Sequence, residues 1–397
     1  MARPKIAAVV TEYRKYSHAQ HIVDRFLYGY GWNGRHHRPP MDLVSLYTDQ
    51  VPEGDASRAR AKEIPSLRIY PTVAEALTRG GEKLAVDGVL LIGEHGTYPK
   101  NEKGQHLYPR YELFQKIVDV FRDSGKSVPV FNDKHLSWNW DWAKEMVQTA
   151  RDMGFALMAG SSLPVARRIP PVEMPAGAEV EEAMSVALGG PDSYDFHALE
   201  TLQTMVERRR GGETGVVAMQ ALKGDAVWAA MDSGSWEAGG WDPRLFEACL
   251  CRSQTLTSAR PGFSHVLPSK EEVRRLRRNP VAYRFEYADG LKATILIGDG
   301  LVRDFNFAAR LKSHREPLST LMFLPYYDLQ NFFSPLVNHI ETLFSTGKSP
   351  YPIERTLLTT GLTAAGVESL FQGQKRIATP HLRISYQPTH DSTYWRT

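Results

Sequence analysis

The chain has 397 residues, 42% of them hydrophobic and 23% charged, with a formal net charge of +3. That length accommodates two cores, while the small net charge argues against nucleic acid or an anionic membrane as the main partner, since both require clustered positive charge. Cys249 and Cys251, two apart in an apolar run, allow neither a disulfide framework nor a four-cysteine metal site, which implies a reducing compartment.

The N-terminal run Met-Ala-Arg-Pro-Lys-Ile-Ala-Ala-Val-Val enters a strand directly, and no stretch approaches the roughly 18 apolar residues of a membrane span. The expectation is a cytoplasmic protein with no membrane partner. Residues 5–160 alternate strand-like and helix-like text. Strands are expected at Lys5–Val10, Asp42–Thr48, Leu67–Tyr70, Gly88–Gly93, Val128–Asn132 and Ala156–Ala159. Helices are expected between them at His18–Tyr28, Ser57–Glu63, Val73–Arg79, Arg110–Ser124 and Asp141–Met153, several ending at a glycine (Gly80, Gly125, Gly154). Such alternation predicts an α/β domain, a doubly wound parallel sheet covered by helices on both faces.

The Pro-rich segment Leu163–Pro175 reads as a crossover, dividing a Rossmann-like domain (1–162) from an α+β domain (163–397) on a largely antiparallel sheet. Beyond it come an amphipathic helix at Phe196–Arg209 and strands at Val281–Tyr287 and Leu291–Ile297 joined by the hairpin signal Asp289-Gly290. Closing helices at Ser334–Ser345 and Pro352–Gln372 could pack back on the first domain. The basic runs Arg208–Arg210 and Arg274–Arg278 read as solvated faces.

In a doubly wound sheet the loops after the first, fourth and fifth strands face one crevice. Here those loops carry Thr11-Glu12-Tyr13-Arg14-Lys15-Tyr16-Ser17-His18, Glu94-His95-Gly96-Thr97-Tyr98 and Asp133-Lys134-His135. Lys134 in such a crevice could hydrogen-bond a sugar hydroxyl or assist proton transfer. The cluster Trp138-Asn-Trp-Asp-Trp142 reads as packing or as aromatic faces for sugar rings. His36 and His37 fall at the opposite sheet edge and read as structural or interfacial, and His18 and His21 are a possible metal pair one helical turn apart.

This layout resembles the Gfo/Idh/MocA family, named for glucose–fructose oxidoreductase and inositol dehydrogenase, over nearly the whole chain. Asp133-Lys134-His135 resembles the family's Glu-Lys-Pro motif, whose lysine acts in catalysis. His197 and Glu200 match its second-domain histidine and the acid three residues on, with Ser193 where an acid usually precedes the histidine. The resemblance implies catalysis by Lys134, His197 and Asp133, and substrate contacts from His95, His135, Trp138 and Glu200. It further implies NAD or NADP held by Thr11, Glu12, Tyr13, Lys15, Asp49 and Glu94, and a homo-oligomer built on the antiparallel sheet.

The first turn departs from the family. A dinucleotide turn uses glycines for close backbone approach to the pyrophosphate, and their positions here hold Val10, Glu12 and Lys15. Glu12 would bring a carboxylate towards the pyrophosphate, where two unit charges about 4 Å apart repel by roughly 4 kcal/mol at an effective dielectric near 20. The sequence therefore supports a sugar or cyclitol oxidoreductase with an altered nucleotide turn. The alternative is a nicotinamide-independent lyase, isomerase or hydrolase acting on a keto-sugar, with a divalent metal on Glu94, His95 and His135, and a third reading is a non-catalytic sugar-binding or scaffold protein.

Overall fold

The computed structural model describes residues 3–262, 265–312 and 314–396. The first sheet has six parallel strands in the order Arg68–Ile69, Asp42–Thr48, Lys5–Val10, Gly88–Ile92, Val130–Asp133, Leu157–Gly160. Strand order reverses at Lys5–Val10, whose last residue pairs with Thr48 on one side and Ile92 on the other. Lys5–Val10 and Gly88–Ile92 are near-continuous apolar runs because both faces are covered. Ile6, Ala8 and Val10 pack with helices His18–Tyr28 and Phe333–Thr346, while Ala7 and Val9 pack on the opposite side with helix Arg110–Ser124.

Local chemistry sets the helix ends. Ser17 accepts from the Gln20 backbone N–H to start His18–Tyr28, and Asn139 accepts from Asp141 and Trp142 to start Trp140–Asp152. Arg110–Ser124 stops at Gly125, which takes the left-handed conformation at φ +63°.

The second sheet has eight strands in the order Ile377–Ala378, Val216–Lys223, Arg278–Tyr287, Lys292–Asp299, Val180–Ala187, Phe305–Leu311, Leu318–Phe323, Arg167–Ile169. Val180–Ala187 and Lys292–Asp299 pair in parallel, and the other described pairings are antiparallel. Gly290, at φ +92°, makes the turn between Arg278–Tyr287 and Lys292–Asp299. One face of this sheet lies on helices Asp195–Val206 and Ile353–Phe371.

Its other face is also covered. Helices Asp225–Ser233, Pro243–Arg252 and Lys270–Leu276 cover it, burying Met184, Val186, Ala282, Leu296 and Ala308 beneath Val227, Leu245 and Leu250. Both faces of the second sheet are thus covered by helices of the chain itself. The first two of these helices fall outside the elements expected from the sequence. One available cue is Asp242-Pro243, where the aspartate accepts from the Arg244 N–H at 2.9 Å and proline fills the first turn.

Both basic runs also depart from the solvated reading, each through one buried arginine. Arg209 pairs with Glu213 at 3.0 Å and Asp289 at 2.7 Å over the Tyr287 ring. Arg277 donates to the carbonyls of Ala187 and Gly298 at 3.1 and 3.0 Å, and burial pulls its pKa down to about 9. Cys249 is buried and Cys251 exposed, both unbridged. No described helix is long and apolar enough to cross a membrane.

Candidate active site

The three loops after the first, fourth and fifth strands meet. Thr11 Oγ1 donates to the Glu94 carbonyl at 2.7 Å, His18 Nδ1 lies 2.7 Å from Asp133 Oδ2, and Lys134 Nζ donates to Glu94 Oε1 at 2.8 Å. They form one wall of a polar cavity of about 460 Å³ that His18, Glu94, His95 and Lys134 share with Ser161, Ser193 and His197. Lys134 and His95 sit in left-handed backbone, at φ +63° and +70°, an uncommon conformation for such residues and one that clusters at functional sites.

Glu94 is the charge centre of this wall. Its second oxygen accepts from Arg110, whose side chain is fully buried. Burial favours a protonated Glu94, but Lys134 and Arg110 outweigh it and hold the carboxyl well below its usual range. Conversely, burial disfavours the Lys134 ammonium, and Glu94 more than offsets this, so Lys134 stays charged with its pKa raised.

His197 completes the opposite wall from helix Asp195–Val206. Its Nδ1 lies 3.1 Å from Glu200 Oε2, and Glu200 is itself fixed by the Ser161 backbone N–H at 2.8 Å and hydroxyl at 2.5 Å. Donation of Nδ1–H to Glu200 leaves Nε2 as the basic nitrogen. Burial, reinforced by Lys134, lowers the His197 pKa, so the imidazole is neutral at physiological pH. The cavity therefore presents a cationic donor and a neutral base, with a second imidazole–carboxylate pair, His18–Asp133, on the Lys134 side.

Other expected residues lie elsewhere or have partners already. Tyr13 is fully buried in the core beneath the first sheet and donates to Asp24. Lys15 is exposed, its ammonium over the Tyr16 ring. Trp138 lines a separate cavity with Asn101, Lys103, Trp140 and His381. His135 receives a hydrogen bond from Arg110 at 3.0 Å, and burial drives its pKa well down. Burial and then His18 lower His95 to about 3.

With Glu94 engaged by two cations and His135 by Arg110, the proposed ligand set Glu94, His95, His135 is not assembled as a metal centre. Among the described residues no group of three or more His, Cys, Asp or Glu side chains is placed to hold a metal ion. His21 stacks on Phe333 rather than joining His18, and His37 is tied to Glu341 at 2.8 Å at the opposite sheet edge. Arg110, Ser161 and Tyr108 escape the sequence reading, since nothing in local spacing links them to Glu94, Glu200 or the cavity.

This fold places a pyrophosphate at the N-terminus of the helix after the first strand. Here that turn carries Glu12, 5% exposed and paired with Arg14 at 2.5 Å, and the Tyr16 N–H donates to Gln20 Oε1 at 2.6 Å. Asp49, the expected ribose acceptor, already accepts from Tyr47 at 2.8 Å and Tyr98 at 2.7 Å. Gln50 exchanges two hydrogen bonds with the Thr97 backbone, at 3.0 and 2.9 Å. These residues do not fit a dinucleotide held in the manner usual for the fold.

The parallel sheet and the second, mixed sheet make a fold shared with solved dehydrogenases. No protein-family model and no curated protein sequence matches the chain. Among solved structures it is similar to GenD2 from gentamicin A biosynthesis in complex with NAD, at 12% identity over 95% of this chain and 97% of that one, with a TM-score of 0.57. It is similar also to myo-inositol dehydrogenase from Lactobacillus casei in complex with NAD(H) and myo-inositol, at 9% identity, 95% and 97% coverage and a TM-score of 0.56. The aldose–aldose oxidoreductase from Caulobacter crescentus, complexed with glycerol, shares 13% identity over 95% and 100% of the chains, with a TM-score of 0.51. At these identities the likeness is one of fold.

Proposed function

We propose that the chain is a carbohydrate-active enzyme that binds a sugar or cyclitol in this cleft and moves a proton at one of its hydroxyl or carbonyl groups. The observation that carries this reading is the pairing of a charged Lys134 donor with a neutral His197 in one polar cavity. Lys134 would hold the reacting oxygen, and His197, oriented by Glu200, would take or return the proton. The sugar oxidoreductase reading is supported by the fold shared with myo-inositol dehydrogenase and aldose–aldose oxidoreductase. Lys134 and His197 would supply proton transfer, a step common to such an oxidation and to movement of a carbonyl along a sugar.

The test is a panel of aldoses, ketoses and cyclitols, scored by rise in melting temperature and by product formation in NMR. Stabilisation by at least one sugar, with conversion reduced about 10²- to 10⁴-fold in His197→Gln, is the expected result. A panel that neither stabilises nor reacts would remove the proposal.

A further inference from the structure

We infer that the segment Glu94–Pro109 fills the place where this fold holds a dinucleotide, so that the cleft carries out redox-neutral proton transfer on a carbonyl-bearing sugar without nicotinamide. This rests on the carbohydrate reading above.

The loop joining strand Gly88–Ile92 to helix Arg110–Ser124 is far longer than the roughly two to six residues usual at that point in an α/β unit. It turns back across the carboxyl edge of the sheet. Gln50 and Thr97 join it to the loop after strand Asp42–Thr48, and Tyr98 donates to Asp49 in the same loop. These links join the loops after strands Asp42–Thr48 and Gly88–Ile92, which flank strand Lys5–Val10 and the Glu12 turn that follows it. At its other end the segment is anchored to the turn before helix Asp195–Val206, where the His106 N–H donates to Asp192 at 2.7 Å, and to the loop after Lys134, where Gln105 donates to the Trp138 carbonyl at 3.3 Å.

The ring contacts are equally close. Tyr98 lies edge-on to Tyr108 at 5.7 Å, His106 stacks on Tyr108 at 5.4 Å, and Arg110 lies over the Tyr108 ring at 5.1 Å. Gly96 has φ +105°, and a Cβ there would meet the Tyr98 ring at 2.6 Å. The segment is held against its neighbours at both ends, and Tyr108 at its end lines the active cavity. A closed groove with Lys134 and His197 still facing the cavity is the arrangement expected where acid–base chemistry has no need of a hydride acceptor.

The step balances within the substrate. Lys134 gives a proton to the carbonyl oxygen as His197 Nε2 removes one from the adjacent carbon, so the C–H bond breaks, an O–H bond forms and the electron pair becomes the C=C bond of an enediol. Return of the proton to the former carbonyl carbon, with loss of the neighbouring hydroxyl proton to Lys134, moves the carbonyl one position along the sugar. No electron leaves the molecule.

The purified wild-type protein is titrated with NADH and NADPH by nucleotide fluorescence, and after denaturation its supernatant is examined for carried nucleotide by mass spectrometry. Expected are no binding at millimolar nucleotide and no carried nucleotide. Micromolar binding or a stoichiometric bound nucleotide would overturn the inference, while leaving the carbohydrate reading in place if sugars still raise the melting temperature. In parallel, aldoses, ketoses and keto-cyclitols are incubated with the protein in D₂O. Deuterium should enter at the carbon beside the carbonyl of at least one, and fall at least 100-fold in Lys134→Met. Stabilisation by sugars without any such exchange also overturns the inference, and absence of both removes the carbohydrate reading with it.

Discussion

Glu94 carries a Lys134 ammonium on one carboxylate oxygen and a fully buried Arg110 on the other. Removing one partner of a buried ion pair costs about 3–5 kcal/mol, because the other charges stay desolvated and uncompensated. Glu94→Gln, which leaves two cations facing each other, is expected to lose about that much in urea denaturation. Lys134→Met leaves Glu94 with Arg110 and should lose less stability while abolishing conversion. In the proposed mechanism Glu200 acts through His197, whose Nδ1 lies 3.1 Å from its carboxylate. Its charge raises the His197 pKa against burial and Lys134. In Glu200→Gln the acidic limb of the pH–rate profile should therefore move to lower pH, a shift that a merely structural defect would not produce.

At the scale of elements, helix Ile353–Phe371 is the hinge-pin of the architecture. Leu358, Leu362 and Ala365 belong to the core under the second sheet, Leu357 belongs to the core of the first, and Thr356 donates to the Ala159 carbonyl at 2.6 Å. Its glycines are there for space. A Cβ at Gly366 would stand 2.3 Å from the Tyr283 ring, and one at Gly361 would stand 2.3 Å from Leu382 and 2.7 Å from Trp140. Alanine gains up to about 1 kcal/mol over glycine in an exposed helix, whereas overpacking a core costs about 1–3 kcal/mol. Tyr283 is fully buried and donates to Asp195, so it has little room to move. Gly366→Ala should lower the urea midpoint without changing the slope of the transition.

For the whole molecule, buried histidines set the response to acid. His95 is held at about 3 and His21 at about 4, each first by burial, and His135 well below its usual value. In the unfolded chain these groups titrate near 6.5, so below that pH the unfolded state takes up protons that the native state refuses until about 3 to 4. Stability should fall as pH drops from 6.5 towards 4, by about 1.4 kcal/mol per pH unit for each such histidine. Asp192 acts in the same range with opposite sign. Burial and then Asp195 raise it to about 7, so its contribution weakens the fold as pH rises from about 4 to 7. Denaturation midpoints between pH 4 and 7 check the balance: His95→Gln should flatten the acid loss by one proton, and Asp192→Asn should stabilise most at pH 7 and above.

The sequence by itself determined the elements of the first sheet and the meeting of its three loops. Runs such as Ile6–Val10, caps such as Ser17 and stops such as Gly125 act within a few residues, so His18–Tyr28 and Arg110–Ser124 could be bounded to the residue. Lys134 was legible as a crevice residue because strand order alone brings its loop there. Tertiary structure decided which groups became partners. Arg110 joins Glu94, Tyr98 joins Asp49, Trp138 turns to another cavity, and Arg209 and Arg277 are drawn into the interior. Those outcomes depend on loop paths and on where a long side chain finds a desolvated counter-charge or carbonyl, and such contacts between distant segments leave no periodicity in the chain.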